Sequence, residues 1–195
     1  MQNNFELIKK NIEKHITLSK EEFEYFTNFI VVKKISKKNL LLKEGDVCNY
    51  TAFVNSGCLR TFTRDKDGNE HVVQFAIEDY WAGDLYSFLT GNPSTYNIEA
   101  TQDTHVLLIQ NSDMEKVFEK VPKFERFFRI LVQRSYIALQ QRFSLNQTSS
   151  AQEKYEKLMQ KFPDLELRVA QKHIASYLGI TAESLSRIKR KAYEK

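Results

Sequence analysis

The stretch QKHIASYLGITAESLSRIKRKAYEK, running from Gln171 to Lys195, decides how this chain is read. Ile174, Ala175, Leu178, Ile180, Leu185 and Ile188 recur at the spacing of two short helices that bury one face between them. Gly179 stands where a sharp turn needs a positive φ, and Thr181 is a natural N-cap for the helix that follows. Beyond that cap, Ala182, Glu183, Ser184, Ser186, Arg187, Arg190 and Lys191 are polar or small and are expected to face outward. A glycine turn between two helices, the second rich in cations, is the layout of a helix-turn-helix whose second helix enters a major groove.

Charge is distributed to suit that reading. Residues 161–195 carry eight Lys/Arg against four Asp/Glu, whereas residues 1–160 carry 21 of each, so the whole formal excess of +4 lies in the terminal segment. A cationic end is the electrostatic footprint that phosphates require. Apolar content of 42% and charged content of 28% are ordinary for a globular chain. The opening MQNNFELIKK lacks the apolar centre of a signal peptide, and no window approaches the roughly 20 apolar residues of a membrane span. A cytoplasmic protein with no membrane partner is therefore expected. Cys48 and Cys58 are too few and too isolated for a disulfide scaffold or a metal cluster. Both are expected to be reduced thiols, with a redox role left open.

Upstream, Phe5, Leu7, Ile8 and Ile12 suggest an amphipathic helix over 4–16, and Ser19 with Glu22 forms a capping box for a second helix reaching about Ile30. From Val31 to about Gln110 the pattern becomes short alternating runs broken by turns at Glu44-Gly45-Asp46, Asn55-Ser56-Gly57 and Asp67-Gly68-Asn69. Roughly eight strands at this spacing predict an antiparallel β-roll or sandwich. After Ser112 the period returns to 3.6, with a short helix ending near Val121-Pro122 and a long one reaching about Asn146. The long helix carries two apolar stripes: Phe124, Leu131, Ala138 and Leu145 with Phe127 beside them, and Phe128, Val132, Leu139 and Phe143. One stripe is expected to pack on the roll and the other to meet a partner helix; Phe124, Phe127, Leu131, Ala138 and Leu145 are taken as the dimer face. A further helix is expected near 151–162, broken by Pro163-Asp164 before the helix-turn-helix. The fold class is thus α+β. It divides into a β-roll sensor domain over 1–121 with flanking helices, a dimerisation helix over 122–147 and a DNA-binding domain over 148–195.

Helices, an eight-strand roll, a long helix and a terminal helix-turn-helix, in that order, resemble the cyclic-AMP receptor protein / fumarate-nitrate regulator (Crp/Fnr) family along nearly the whole chain. In the roll, Leu42-Lys-Glu-Gly-Asp46, Phe53-Val-Asn-Ser-Gly57, Leu59-Arg60 and Asp67-Gly-Asn-Glu70 look like that family's turn glycines with their flanks. At the end, Ile174-Ala175, Leu178-Gly179-Ile180 and Glu183-Ser184-Leu185-Ser186-Arg187 match closely. The resemblance implies a cyclic-nucleotide-binding-like jelly roll and a homodimer that regulates transcription on a palindromic operator. RNA polymerase is a further possible partner.

The departures bear on the signal. Nucleotide-binding members follow a Gly-Glu pair, about ten residues on, with an Arg and a Ser or Thr. Counting from Gly83, this chain has Asp84 for the Glu and Ser94-Thr95 where Arg-Ser or Arg-Thr would stand, and no Lys or Arg lies between Asp84 and Ala100. A cyclic phosphate buried there lacks a cationic partner, so cyclic-nucleotide binding is not expected and no cofactor is assigned. Gly83, Asp84, Tyr86, Ser94, Thr95 and Tyr96 are the candidate effector pocket, for a neutral or aromatic molecule or for none. An iron–sulfur member needs a cysteine cluster near its N-terminus, and no Cys precedes Cys48. Haem ligation by His71 or His105 rests on no more than a histidine in a strand. Many relatives add a β-wing after the recognition helix; here the sequence ends at Lys195, a few residues past it.

On DNA, Glu183 and Arg187 match the family's base-reading positions, while Ala182 stands where one member carries an Arg. Arg187 can donate two hydrogen bonds to a guanine edge and Glu183 can accept from a cytosine amine. Ser184 and Ser186 are candidates for phosphate or base contacts; Thr181, Gln171, Lys172, Lys189, Arg190 and Lys191 are candidates for backbone contacts. Two other classes compete. A ligand-binding roll acting on a protein partner leaves the terminal motif unexplained, and a cupin-like enzyme needs clustered His and carboxylates, which His71 and His105 do not supply. No enzymatic activity is expected.

Overall fold

The fold is described from a computed structural model covering residues 5–193, without the side chains of 191–193. The chain divides into two compact units, 1–61 with 75–134 and 62–74 with 135–195.

The first unit opens with α1 (Glu6–Glu13) and α2 (Lys20–Thr27). The capping box forms: the Ser19 hydroxyl accepts from the Glu22 amide while Glu22 accepts from the Ser19 amide at 2.7 Å. Eight strands follow among the described residues: β1 (Ile30–Ile35), β2 (Leu40–Leu42), β3 (Tyr50–Ser56), β4 (Leu59–Arg64), β5 (Glu70–Ala76), β6 (Trp81–Ala82), β7 (Asn97–Ala100) and β8 (Thr104–Gln110). They form two four-stranded sheets, ordered β1-β8-β3-β6 and β2-β7-β4-β5. A short α3 (Leu85–Thr90) interrupts the strands, and α4 (Asn111–Lys120) leads to α5 (Lys123–Thr148).

The first sheet is apolar on both faces, which explains how one roll organises so many helices. Ala52 and Val54 of β3 and Val106 and Leu108 of β8 point into the roll with Leu59, Ile98 and Ala100. Their alternates Phe53, Leu107 and Ile109 point the other way and bury against Ile8, Ile12, Phe26, Val117, Phe124 and Phe127. Phe26 stacks on Phe124 with ring centroids 4.4 Å apart. Between β3 and β4, Gly57 has φ +100°, and a side chain there would sit 2.7 Å from the Asp103 carbonyl oxygen, so only glycine fits.

This packing corrects the expected dimer face. Phe124 and Phe127 are 0% exposed within a single chain, and Leu131 leans on the same cluster, so these residues are taken up by the first unit's own core. The large apolar side chains exposed on α5 are Val132, Tyr136, Ile137, Leu139 and Phe143, each between 41% and 66% exposed. Ala138 is also exposed and Leu145 half-buried. The boundary between the two compact units falls inside α5, at Arg134/Ser135.

The second unit holds the tip of the β4–β5 hairpin (Phe62–Gln74), the C-terminal half of α5, α6 (Ala151–Lys161), α7 (Leu165–Arg168), α8 (Gln171–Leu178) and α9 (Ala182–Tyr193). Ser150 and Glu153 cap α6 as Ser19 and Glu22 cap α2. Tyr155, Leu158, Phe162, Leu165, Val169, Ile174, Ala175, Leu178 and Leu185 are all buried. They are the apolar faces of α6 to α9.

Candidate nucleic-acid interface

Helices α8 and α9 meet as their sequence requires. Gly179 ends α8 in the left-handed conformation (φ 69°), with its amide bonded to the Ala175 and Ser176 carbonyls. Ile180 turns back to the Ala175 carbonyl at 3.0 Å, and the Thr181 hydroxyl then accepts from the Ser184 amide at 3.2 Å, capping α9. Ile174, Ala175, Leu178 and Leu185 are buried, so rotation of either helix would expose apolar surface. That fixes which residues of α9 face out.

Ala182, Glu183, Ser186, Arg187 and Arg190 are exposed on α9, with Ser184 half-buried; on α8 Lys172 is exposed and Gln171 half-buried. Glu183 and Arg187, one helical turn apart, share the outward face. Hydrogen bonds from its own backbone amide and from the Thr181 hydroxyl, with the Arg187 charge adding, hold the Glu183 carboxyl below the usual carboxylate range. Arg187 Nη2 donates to Ser184 Oγ at 3.2 Å, and Ser184 Oγ lies 3.1 Å from Thr181 Oγ1, whose single proton is shared between it and the Glu183 carboxylate. The Arg187–Ser184 bond aims the guanidinium with one of its five donors. Gln171 Nε2 donates to Ser186 Oγ at 3.0 Å, tying the start of α8 to the exposed face of α9.

Lys189 departs from expectation. Its ammonium lies 2.9 Å from Glu166 Oε1 on α7, and Tyr155 OH donates to the same oxygen at 3.1 Å. Only 26% of the Lys189 side chain is exposed, so it braces α9 against α7 instead of standing free for phosphate. The Lys191 side chain lies outside the described residues.

Of the six residues of the expected effector pocket, Asp84, Tyr86, Ser94 and Tyr96 take part in local hydrogen bonds. Asp84 begins α3, a helix the alternating pattern did not reveal, and its Oδ1 accepts from the Tyr86 and Ser87 amides. Its Oδ2 is buried without a hydrogen-bond partner. Ser94, also buried, spends its hydroxyl on the Tyr96 backbone, accepting from the amide at 3.0 Å. Tyr86 is 58% exposed and its hydroxyl accepts from Asn92 Nδ2 at 3.1 Å. Thr95 is exposed; Gly83 and Tyr96 are half-buried. Nearby, Cys48 is fully buried, and burial pushes its thiol pKa up. Among the described residues, no group of three or more His, Cys, Asp or Glu could hold a metal ion, and no helix is long and apolar enough to cross a membrane.

A jelly roll and a capped helix-turn-helix with a cationic outer face are the parts of a DNA-binding transcriptional regulator. Residues 32–121 match the cyclic nucleotide-binding domain family. The fumarate and nitrate reduction regulatory protein of Vibrio cholerae is 24% identical, over 88% of this chain and 73% of its own length. FixK2 from Bradyrhizobium japonicum shares the fold with a TM-score of 0.71 at 21% identity, over 85% of each chain. So does the c-di-GMP-responsive regulator CLP of Xanthomonas campestris, with a TM-score of 0.72 at 12% identity, over 90% of this chain and 92% of that one. The chain thus matches a cyclic nucleotide-binding domain over 32–121 and is similar along most of its length to these regulators.

Proposed function

We propose that the chain acts in the cytoplasm as a homodimer that reads a palindromic operator with α9 and works beside RNA polymerase. The observation that carries this is the Thr181–Ser184–Arg187 chain of hydrogen bonds, which presents Arg187 beside Glu183 on an exposed helix face. Arg187 reads a guanine edge and Glu183 a cytosine amine. Arg190, Lys172 and Lys191 meet phosphates. The dimer seam is Val132, Tyr136, Leu139 and Phe143, whose spacing along α5 is that of a two-stranded helical pair. Two copies so joined place their α9 helices in successive major grooves, about 34 Å apart.

The effector is not a cyclic nucleotide. One oxygen of Asp84 is committed to capping α3 and the Ser94 hydroxyl to the Tyr96 backbone, and no Lys or Arg lies between Asp84 and Ala100. The stretch supplies no cation of its own, and the buried Arg60 that reaches it is paired with Glu99 at 2.9 Å. Titration calorimetry with cyclic AMP and cyclic GMP tests this, the expected result being no heat at millimolar nucleotide. Saturable binding of either one overturns it. Sedimentation equilibrium tests the dimer, and a mass of 22.9 kDa at micromolar protein contradicts it.

A further inference from the structure

The second unit contains a contact that neither the core nor the DNA-reading face uses. Among the described residues β5 is the last strand of its sheet, with β4 on its inner side. Ser176 of α8 bonds to the β5 backbone. Its hydroxyl accepts from the Val72 amide at 3.0 Å and donates to the Glu70 carbonyl at 2.7 Å. Arg142 of α5 holds the same strand, donating to the Val73 carbonyl and, at 3.3 Å, to the Val72 carbonyl. The same guanidinium stacks over the Tyr177 ring, 4.4 Å from its centroid. His173 Nδ1 lies 3.9 Å from the Glu70 carboxylate.

His173, Ser176 and Tyr177 fall at i, i+3 and i+4, so they make one stripe along α8. It is a different stripe from Ile174, Ala175 and Leu178, which pack in the unit's core, and none of its members belongs to the DNA-facing set. Helix α8 is therefore held on two sides: by the apolar core shared with α9, and by polar bonds to the hairpin. The exposed face of α9 is left open, so the hairpin does not act as a lid.

We propose that Ser176 and Arg142 are positioning residues for DNA recognition: they clamp α8 to the β4–β5 hairpin and so pre-set the angle at which α9 meets the groove. The clamp raises affinity by removing the freedom α8 and α9 would otherwise lose on binding. It rests on the DNA-reading role of α9, but its geometry is tested without DNA.

The test compares wild type, Ser176→Ala and Ser176→Thr as full-length chains, using a duplex selected from a random pool by the wild-type protein. In Ser176→Ala the Val72 amide should exchange with deuterium at least about tenfold faster, and the duplex should bind roughly tenfold more weakly with the same base preference. Ser176→Thr, which keeps the hydroxyl, should restore both. An equally protected Val72 amide in Ser176→Ala, or affinity within about twofold of wild type, overturns the proposal. If Ser176→Ala does not fold, Arg142→Gln serves instead: weaker binding with unchanged base preference is expected, and wild-type affinity overturns the clamp. Should Arg187→Ala leave base preference intact while Val72 loses protection in Ser176→Ala, the clamp stands and the reading face is wrong.

Discussion

The Lys189 ammonium and the Glu166 carboxylate lie 2.9 Å apart, joining α9 to α7. A cation so placed contributes to the fold more than to DNA. Replacing Lys189 with Met should lower thermal stability by roughly 1 kcal/mol and leave the dependence of log K on log salt unchanged. Lys172→Ala and Arg190→Ala should do the reverse, each reducing that slope by about 1 with the melting temperature preserved. Fluorescence anisotropy across a salt series separates the two. A slope reduced in Lys189→Met would return that residue to the phosphate-binding set.

Arg187 carries the base preference. Its removal in Arg187→Ala should relax selectivity at one base pair per half-site, a loss of about 1–3 kcal/mol of discrimination. Competition between duplexes differing only at that pair measures it. Glu183→Gln removes the charge beside Arg187 while keeping an acceptor, so its effect should be smaller and confined to the same site.

The two stripes of α5 give opposite outcomes. Leu139→Glu and Phe143→Glu alter exposed positions and should yield a folded monomer by sedimentation. Phe124→Ala opens a cavity among Phe26, Phe127 and their neighbours and should cost about 3–5 kcal/mol of stability. A dimer that survives Leu139→Glu moves the seam elsewhere.

Both cysteines are fully buried, and burial holds the Cys48 thiol up and neutral. Neither should react with a thiol-directed disulfide at neutral pH until the chain is unfolded, when two equivalents react. Rapid labelling of the native protein would reopen a redox role.

At the hairpin tip, His71 first, then the Asn69 side chain and amide, hold the Asp65 carboxyl down to about 2. A depressed carboxylate supports the turn fully above its ordinary pKa of 3.8, and that support is lost as the pH falls toward 2. The Asp65 carboxyl resonance should titrate near 2 in wild type and closer to 3.8 in His71→Ala. Equal midpoints would remove His71 as the cause.

What could be read from the chain alone was whatever its local chemistry encodes. Gly179 and Thr181 announce a turn and a cap within three residues, and Ser19 with Glu22 does the same for α2, so these elements form where expected. The roles of the α5 stripes were not legible, because both are similarly apolar. The choice is made by Phe53, Leu107 and Ile109, whose outward face on the first sheet claims Phe124 and Phe127. Helix α3 escaped notice because Leu85, Tyr86 and Leu89 point outward, leaving no buried stripe to betray it. The Lys189–Glu166 pair and the Ser176 clamp join residues distant in sequence, and pattern cannot supply such partners.

What α9 reads decides the operator. Selection of bound duplexes from a random pool by the full chain should recover an imperfect palindrome with half-sites centred about 34 Å apart. Repeating it with Arg187→Ala should erase the preference at one symmetric pair of positions and nowhere else. A pool that emerges without any enriched motif, or the same motif from both proteins, contradicts the central claim.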